Sequence, residues 1–99
     1  MGRWEPIWIA SLEIEPWIEQ KIELKHGVDG ETIRKYFVGS NHVSGGKIFD
    51  YKHGARTWAF TAFTTGKFLL VHINLVNRDY SVWSLRTARV TSQIPYARR

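Results

Sequence analysis

The sequence predicts a single small α+β domain, residues 1–99, in which two N-terminal helices pack on one face of a mostly antiparallel sheet in the order β-α-α-β-β-β-β. Three observations predict it. A chain of 99 residues with 43% hydrophobic and 14% aromatic content, including five Trp, can bury one modest core without staples. Apolar residues recur at helical spacing from Pro16 to Val38. From Lys47 onward the apolar period changes to two.

The apolar run Pro6-Ile7-Trp8-Ile9-Ala10 reads as the first strand. Pro16 opens a helix at its first turn, where a missing N–H costs nothing, and Gly27 stops it. Trp17, Ile18, Ile22 and Leu24 are its expected apolar stripe. Glu15 and Glu19 near the start, with Lys21 and Lys25 near the end, suit the helix dipole. Asp29 is a good N-cap for a second helix, Gly30 to Val38, with Ile33 and Phe37 on its buried face and Gly39 as its end. Ser40-Asn41-His42 and Ser44-Gly45-Gly46 read as loops. Strands are expected at Lys47 to Tyr51, Arg56 to Phe63, Lys67 to Val76 and Tyr80 to Thr87, with turns at Thr64-Thr65-Gly66 and Asn77-Arg78-Asp79. In the third of these, Leu69, Val71, Ile73 and Leu75 share one face, and His72 and Asn74 share the other with Phe68 and Leu70. Ala88 to Arg99 is expected to be a short basic tail, partly helical at best because Pro95 interrupts it.

Composition excludes several chemistries. With no cysteine there is no disulfide framework, thiolate metal site or thiol nucleophile. No two histidines are spaced i,i+4 and no carboxylate accompanies them, so neither a metal site nor a cofactor is expected. Ser44-Gly45-Gly46-Lys47 is too short for a phosphate loop, and no nucleophile elbow occurs. No segment approaches the roughly 18 apolar residues of a membrane span, and the first residues lack a signal-peptide core, so a cytoplasmic protein without membrane association is expected.

Charge is unevenly distributed. Residues 1–31 carry seven acids and three bases, whereas residues 32–99 carry two acids and eleven bases. The C-terminal two thirds is therefore cationic and suits phosphate or an acidic protein partner. His26 in Lys25-His26-Gly27 and His53 in Lys52-His53-Gly54 each set an imidazole beside a cation at a turn, and such a neighbour favours the neutral, base-competent ring. His26 is read either as a general base or as a cap on the first helix. Arg56, Arg86 and Arg89 lie on or just after strands, with Trp58, Tyr80 and Trp83 close by. Arginines with aromatics between them grip phosphates and stack bases of single-stranded RNA, the alternative being that Trp58 and Trp83 are core. Metal-free RNA cleavage needs a base for the ribose 2′-OH, a cation for the pentavalent phosphate and an acid for the leaving oxygen, and this inventory supplies all three.

Trp17-Ile18-Glu19-Gln20-Lys21-Ile22-Glu23-Leu24-Lys25-His26-Gly27-Val28 resembles the start of the BrnT family of toxins, in which a helix ends in Lys/Arg-His-Gly-Val and a second helix follows. His53-Gly54-Ala55-Arg56 to Phe60-Thr61, then Thr65-Gly66-Lys67-Phe68-Leu69-Leu70-Val71, resembles its arginine strand and following hairpin, and Thr87-Ala88-Arg89 its last-strand ending. Together these cover residues 17 to about 92. After them the chain departs from the family, since Thr91 to Tyr96 contains no Glu. The resemblance implies a RelE-like fold and a metal-independent ribonuclease toxin neutralised by a cognate antitoxin, here one with an acidic segment. It also implies that Lys25, His26, Arg56 and Arg89 are catalytic, beside the RNA-binding candidates His53, Trp58 and Arg86 read above.

Overall fold

The computed structural model describes residues 4–51 and 54–94. It is an α+β arrangement of two helices and a six-stranded, mostly antiparallel sheet. The elements are β1 (Glu5–Pro6), β2 (Ser11–Glu13), α1 (Pro16–His26), α2 (Gly30–Phe37), β3 (Ser44–Asp50), β4 (Gly54–Ala62), β5 (Phe68–Asn77) and β6 (Val82–Thr91). The sheet order is β1-β3-β4-β5-β6-β2, with β2 parallel to β6 and every other pair antiparallel.

Both helices form where the sequence places them. Pro16 opens α1, and Gly27 closes it with φ 68° and its N–H on the Glu23 carbonyl at 2.9 Å. The Asp29 carboxylate accepts from the Thr32 N–H at 2.8 Å at the start of α2, and hydrogen bonding from the Thr32 side chain first, then from its N–H, holds the carboxyl below its ordinary range. The stripe of α1 is narrower than expected. Ile18 and Ile22 are buried, while Trp17 and Leu24 are 57% and 82% exposed.

The single first strand is corrected to two. Residues 7–10 carry the chain from β1 on one sheet edge to β2 on the other. Polar bonds to four separate partners hold this crossing: Ile7 N–H to Val43 O, Gly39 N–H to Ile9 O, Ala10 N–H to Ser81 O, and the Trp83 indole N–H to Trp8 O. This short bridge dictates the shape of the sheet. Five flat strand spacings would set β1 and β2 about 24 Å apart, but the stretch from Pro6 to Ser11 spans at most about 18 Å. The sheet must therefore curl to bring its edges together.

The sheet also has two buried faces where one was expected. Ala59, Leu69, Val71, Ile73, Leu85 and Ala88 join Ile18, Ile22, Ile33 and Phe37 of the helices in the main core. On the opposite face Trp58, Phe60 and Leu70 form a second core, flanked by Ile48, Phe68 and Ile94. The Trp4 ring meets Phe60 edge-on at 4.9 Å. Three further expectations change. Ser44-Gly45-Gly46 is strand, not loop. Leu75 is 42% exposed, because the β5–β6 register slips at both Ile73 and Asn77. The last strand continues to Thr91, so Ala88 and Arg89 belong to the sheet and not to a tail; Pro95 and the rest of the expected tail lie outside the described residues.

Candidate functional site

The site is built where α1 lies against β6, with Arg56 of β4 reaching the same space. An open cleft of about 270 Å³ lies between them, lined by Trp17, Lys21, Lys25 and His26 of α1 and by Arg56 and Arg86 of the strands, together with Thr87. Helical spacing puts Lys21 and Lys25 one turn apart on one side of α1. Two-residue alternation puts Arg56 on the same face of β4 as Trp58. From there its side chain meets His72 of β5 and lines the cleft. Arg86 gets there by a different device. Along β5–β6 the register passes from Ile73↔Leu85 to His72↔Thr87, so Arg86 is the extra residue of a bulge. Bulges re-aim side chains in this way.

Beneath the Arg56 guanidinium lies His72, with Arg56 Nη1 and His72 Nδ1 3.0 Å apart. A guanidinium has only donors, so Nδ1 must accept and the imidazole proton sits on Nε2. Burial, and next the charges of Arg56 and Arg89, push the His72 pKa down to about 4. The ring is thus neutral at physiological pH and fixes the direction of Arg56. The pairing is visible in register, where Trp58, His72 and Thr87 face one another across three strands.

The sequence-predicted residues divide into three groups. Lys25, His26, Arg56 and Arg86 are brought together around the cleft. Arg89 is exposed on β6, opposite Leu70, and its charge is felt at His72. His53 lies outside the described residues. Trp58 is corrected as a base-stacking residue. It is 3% exposed, with its ring stacked on Phe60 at 5.7 Å, so it belongs to the second core and has no face to offer a base. His26 ends α1 beside Gly27, whose N–H bonds the Glu23 carbonyl, and its side chain lines the cleft. His72 and Trp17 were not singled out as site residues. Period-two alternation signalled His72 by placing it on the second sheet face, but no local signal marks the exposure of Trp17.

The cleft lining contains no carboxylate among the described residues. Among the described residues no group of three or more His, Cys, Asp or Glu is placed to hold a metal ion. No helix among them is long and apolar enough to cross a membrane. Such a site can bind a phosphodiester through several cations at once and offers an imidazole for proton transfer. Comparison with protein-family models, with curated proteins and with solved structures finds no match for the chain.

The state of His72 sets a pH dependence. Unfolded, the ring protonates near its ordinary 6.5; folded, it does so only near 4. Between those values the unfolded chain binds the extra proton, so stability falls as pH drops from about 6.5 toward 4. His72→Asn keeps an acceptor for Arg56 but does not titrate. Between pH 7 and pH 5 the native protein should lose on the order of 1 kcal/mol more unfolding free energy than the variant, after discounting for the ring's partial exposure. Urea titrations at the two pH values measure the difference. Equal losses would mean that His72 is not held neutral by the fold.

Proposed function

We propose that this protein is a metal-independent ribonuclease toxin of BrnT type and RelE-like fold, acting in the cytoplasm to block translation by cutting RNA and neutralised by a cognate antitoxin. The observation that carries the reading is the cleft itself: Lys25, His26, Arg56 and Arg86, separated by up to 61 positions in the chain, converge on one space with no carboxylate among the described residues of its lining. That is the inventory required for transesterification by the ribose 2′-oxygen. His26 takes the 2′-OH proton, Arg56 and Arg86 neutralise the pentavalent phosphate, and Lys25 or a neighbouring cation stabilises or protonates the departing 5′-oxygen. Arg89 adds to the field from the strand, and His72 is a positioning residue for Arg56. An antitoxin with an acidic segment would cover the same cations, which explains how a partner silences the site.

The reading is tested by inducing the chain alone in bacteria. Growth should arrest, and cellular RNA should accumulate fragments ending in 2′,3′-cyclic phosphate and beginning with 5′-hydroxyl, because the 2′-oxygen is the nucleophile. Intact RNA and normal growth at high soluble expression would overturn it. Arrest with RNA intact would instead favour a non-catalytic RNA- or partner-binding module on the same fold.

A further inference from the structure

At the mouth of the cleft stands a side chain that folding alone does not explain. Trp17 is 57% exposed on the first turn of α1, a position where a large apolar ring contributes little to the core. It is nevertheless held in place. Its indole N–H donates to the Glu15 carboxylate at 2.6 Å. Glu15 is the N-cap residue of α1, and its side chain makes no capping hydrogen bond. The carboxylate is engaged with the ring and not with a helix N–H. Trp17 is also the one aromatic side chain among the described residues that line the cleft, beside Lys21, Lys25, His26, Arg56 and Arg86.

We propose that Trp17 is the platform on which a base of single-stranded RNA stacks while the cleft's cations hold the adjoining phosphates. The inference rests on the reading that the cleft takes RNA, and adds the residue that distinguishes a nucleotide chain from any other polyanion. A flat ring fixed beside a row of cations matches the alternation of base and phosphate along a single strand. A duplex keeps its bases stacked inside and has none to present, so the site selects unpaired RNA. The Glu15 contact orients the ring in advance and lowers the ordering cost of binding. Because every base has a π-face, Trp17 recognises bases as a class and not a particular sequence.

The test compares two ligands on the purified protein: a 2′-fluoro oligouridylate, which cannot be cut, and a ribose-phosphate oligomer of equal length without bases. The native protein should bind the first about tenfold more tightly, the ratio that one stacked base typically supplies. Trp17→Ala should remove that preference while leaving affinity for the base-free oligomer, and its fall with salt, unchanged. Trp17→Phe should keep most of it. A Trp17→Ala variant that still prefers the base-bearing oligomer overturns the inference, as does a native protein that binds both oligomers equally with a steep salt dependence; in both cases the RNA reading survives. If the native protein binds neither oligomer in a salt-dependent manner, the RNA reading fails and the role of Trp17 falls with it.

Discussion

Replacing Arg56 by alanine is expected to slow RNA cleavage by about 10²–10³-fold, the usual cost of removing one preorganised group from a developing oxyanion. Arg56 is the cation of the cleft whose direction is set by a second residue, His72 at 3.0 Å. A group held in this way needs little reorganisation when charge builds on the phosphate, and that is where its advantage over a solvated lysine lies. Arg56→Lys should therefore recover only a small part of the rate, since a single ammonium cannot at once donate to His72 Nδ1 and present a planar fork to the phosphate. The fold should survive the alanine change, with a loss of about 1 kcal/mol for one hydrogen bond. Single-turnover cleavage and thermal melts on the same preparations decide the matter. A folded Arg56→Ala protein that cuts RNA at the native rate would remove Arg56 from the mechanism and shift attention to Arg86 and Arg89.

Gly45→Val should cost about 3 kcal/mol, at the upper end of what overpacking costs, because the added atoms meet main chain and not a yielding side chain. A Cβ at this position would run into the Trp58 carbonyl oxygen and come within 2.9 Å of the Ala59 Cα. Gly45 pairs with Ala59 in the β3–β4 ladder, so neither strand can retreat without losing its hydrogen bonds. The neighbouring glycine is the control. A Cβ on Gly46 would first meet the Trp58 indole at 3.4 Å, an ordinary contact. Gly46→Ala should thus cost less than about 1 kcal/mol. Urea unfolding of both variants gives the comparison, and similar losses for the two would show that β3 and β4 are not packed as closely as described. The result also bears on the site, since β4 carries Arg56.

The helices were legible because their signals are local. Pro16, Gly27 and Asp29 act through their own backbone geometry and hydrogen bonds to residues three or four positions away, and they start and stop α1 and α2 as read. The strands from β3 to β6 were legible as period-two segments, but their ends were not. Ser44-Gly45-Gly46 has the composition of a loop, yet small residues there are what a close strand neighbour requires. The first strand was misread because Ile7 to Ala10 is apolar for another reason. Ile9 is fully buried as the chain crosses between sheet edges, with its carbonyl bound to Gly39 and not to a strand. The candidate site was legible as an inventory: Lys25, His26, Arg56 and Arg86 were all named from sequence, whereas for Trp58 the alternative core reading, and not the base-stacking one, matches its burial.

What the sequence by itself determined was which residues could form helices, which could alternate in strands, and that the C-terminal two thirds would be cationic. Each of these depends on covalent geometry, local hydrogen bonding or a charge count, none of which needs a distant partner. Only the tertiary structure decided that the sheet curls and has two cores, that Trp58 is interior while Trp17 is exposed, and that Arg86 turns into the cleft. Those outcomes depend on closing an eleven-residue helix and a four-residue bridge onto strands up to some seventy positions away. Burial, register and the neutral state of His72 are properties of that closure. A side chain's pKa and exposure follow from the charges and apolar surface packed against it, and for His72 burial lowers the pKa first, followed by the charges of Arg56 and Arg89 on the two strands that flank it.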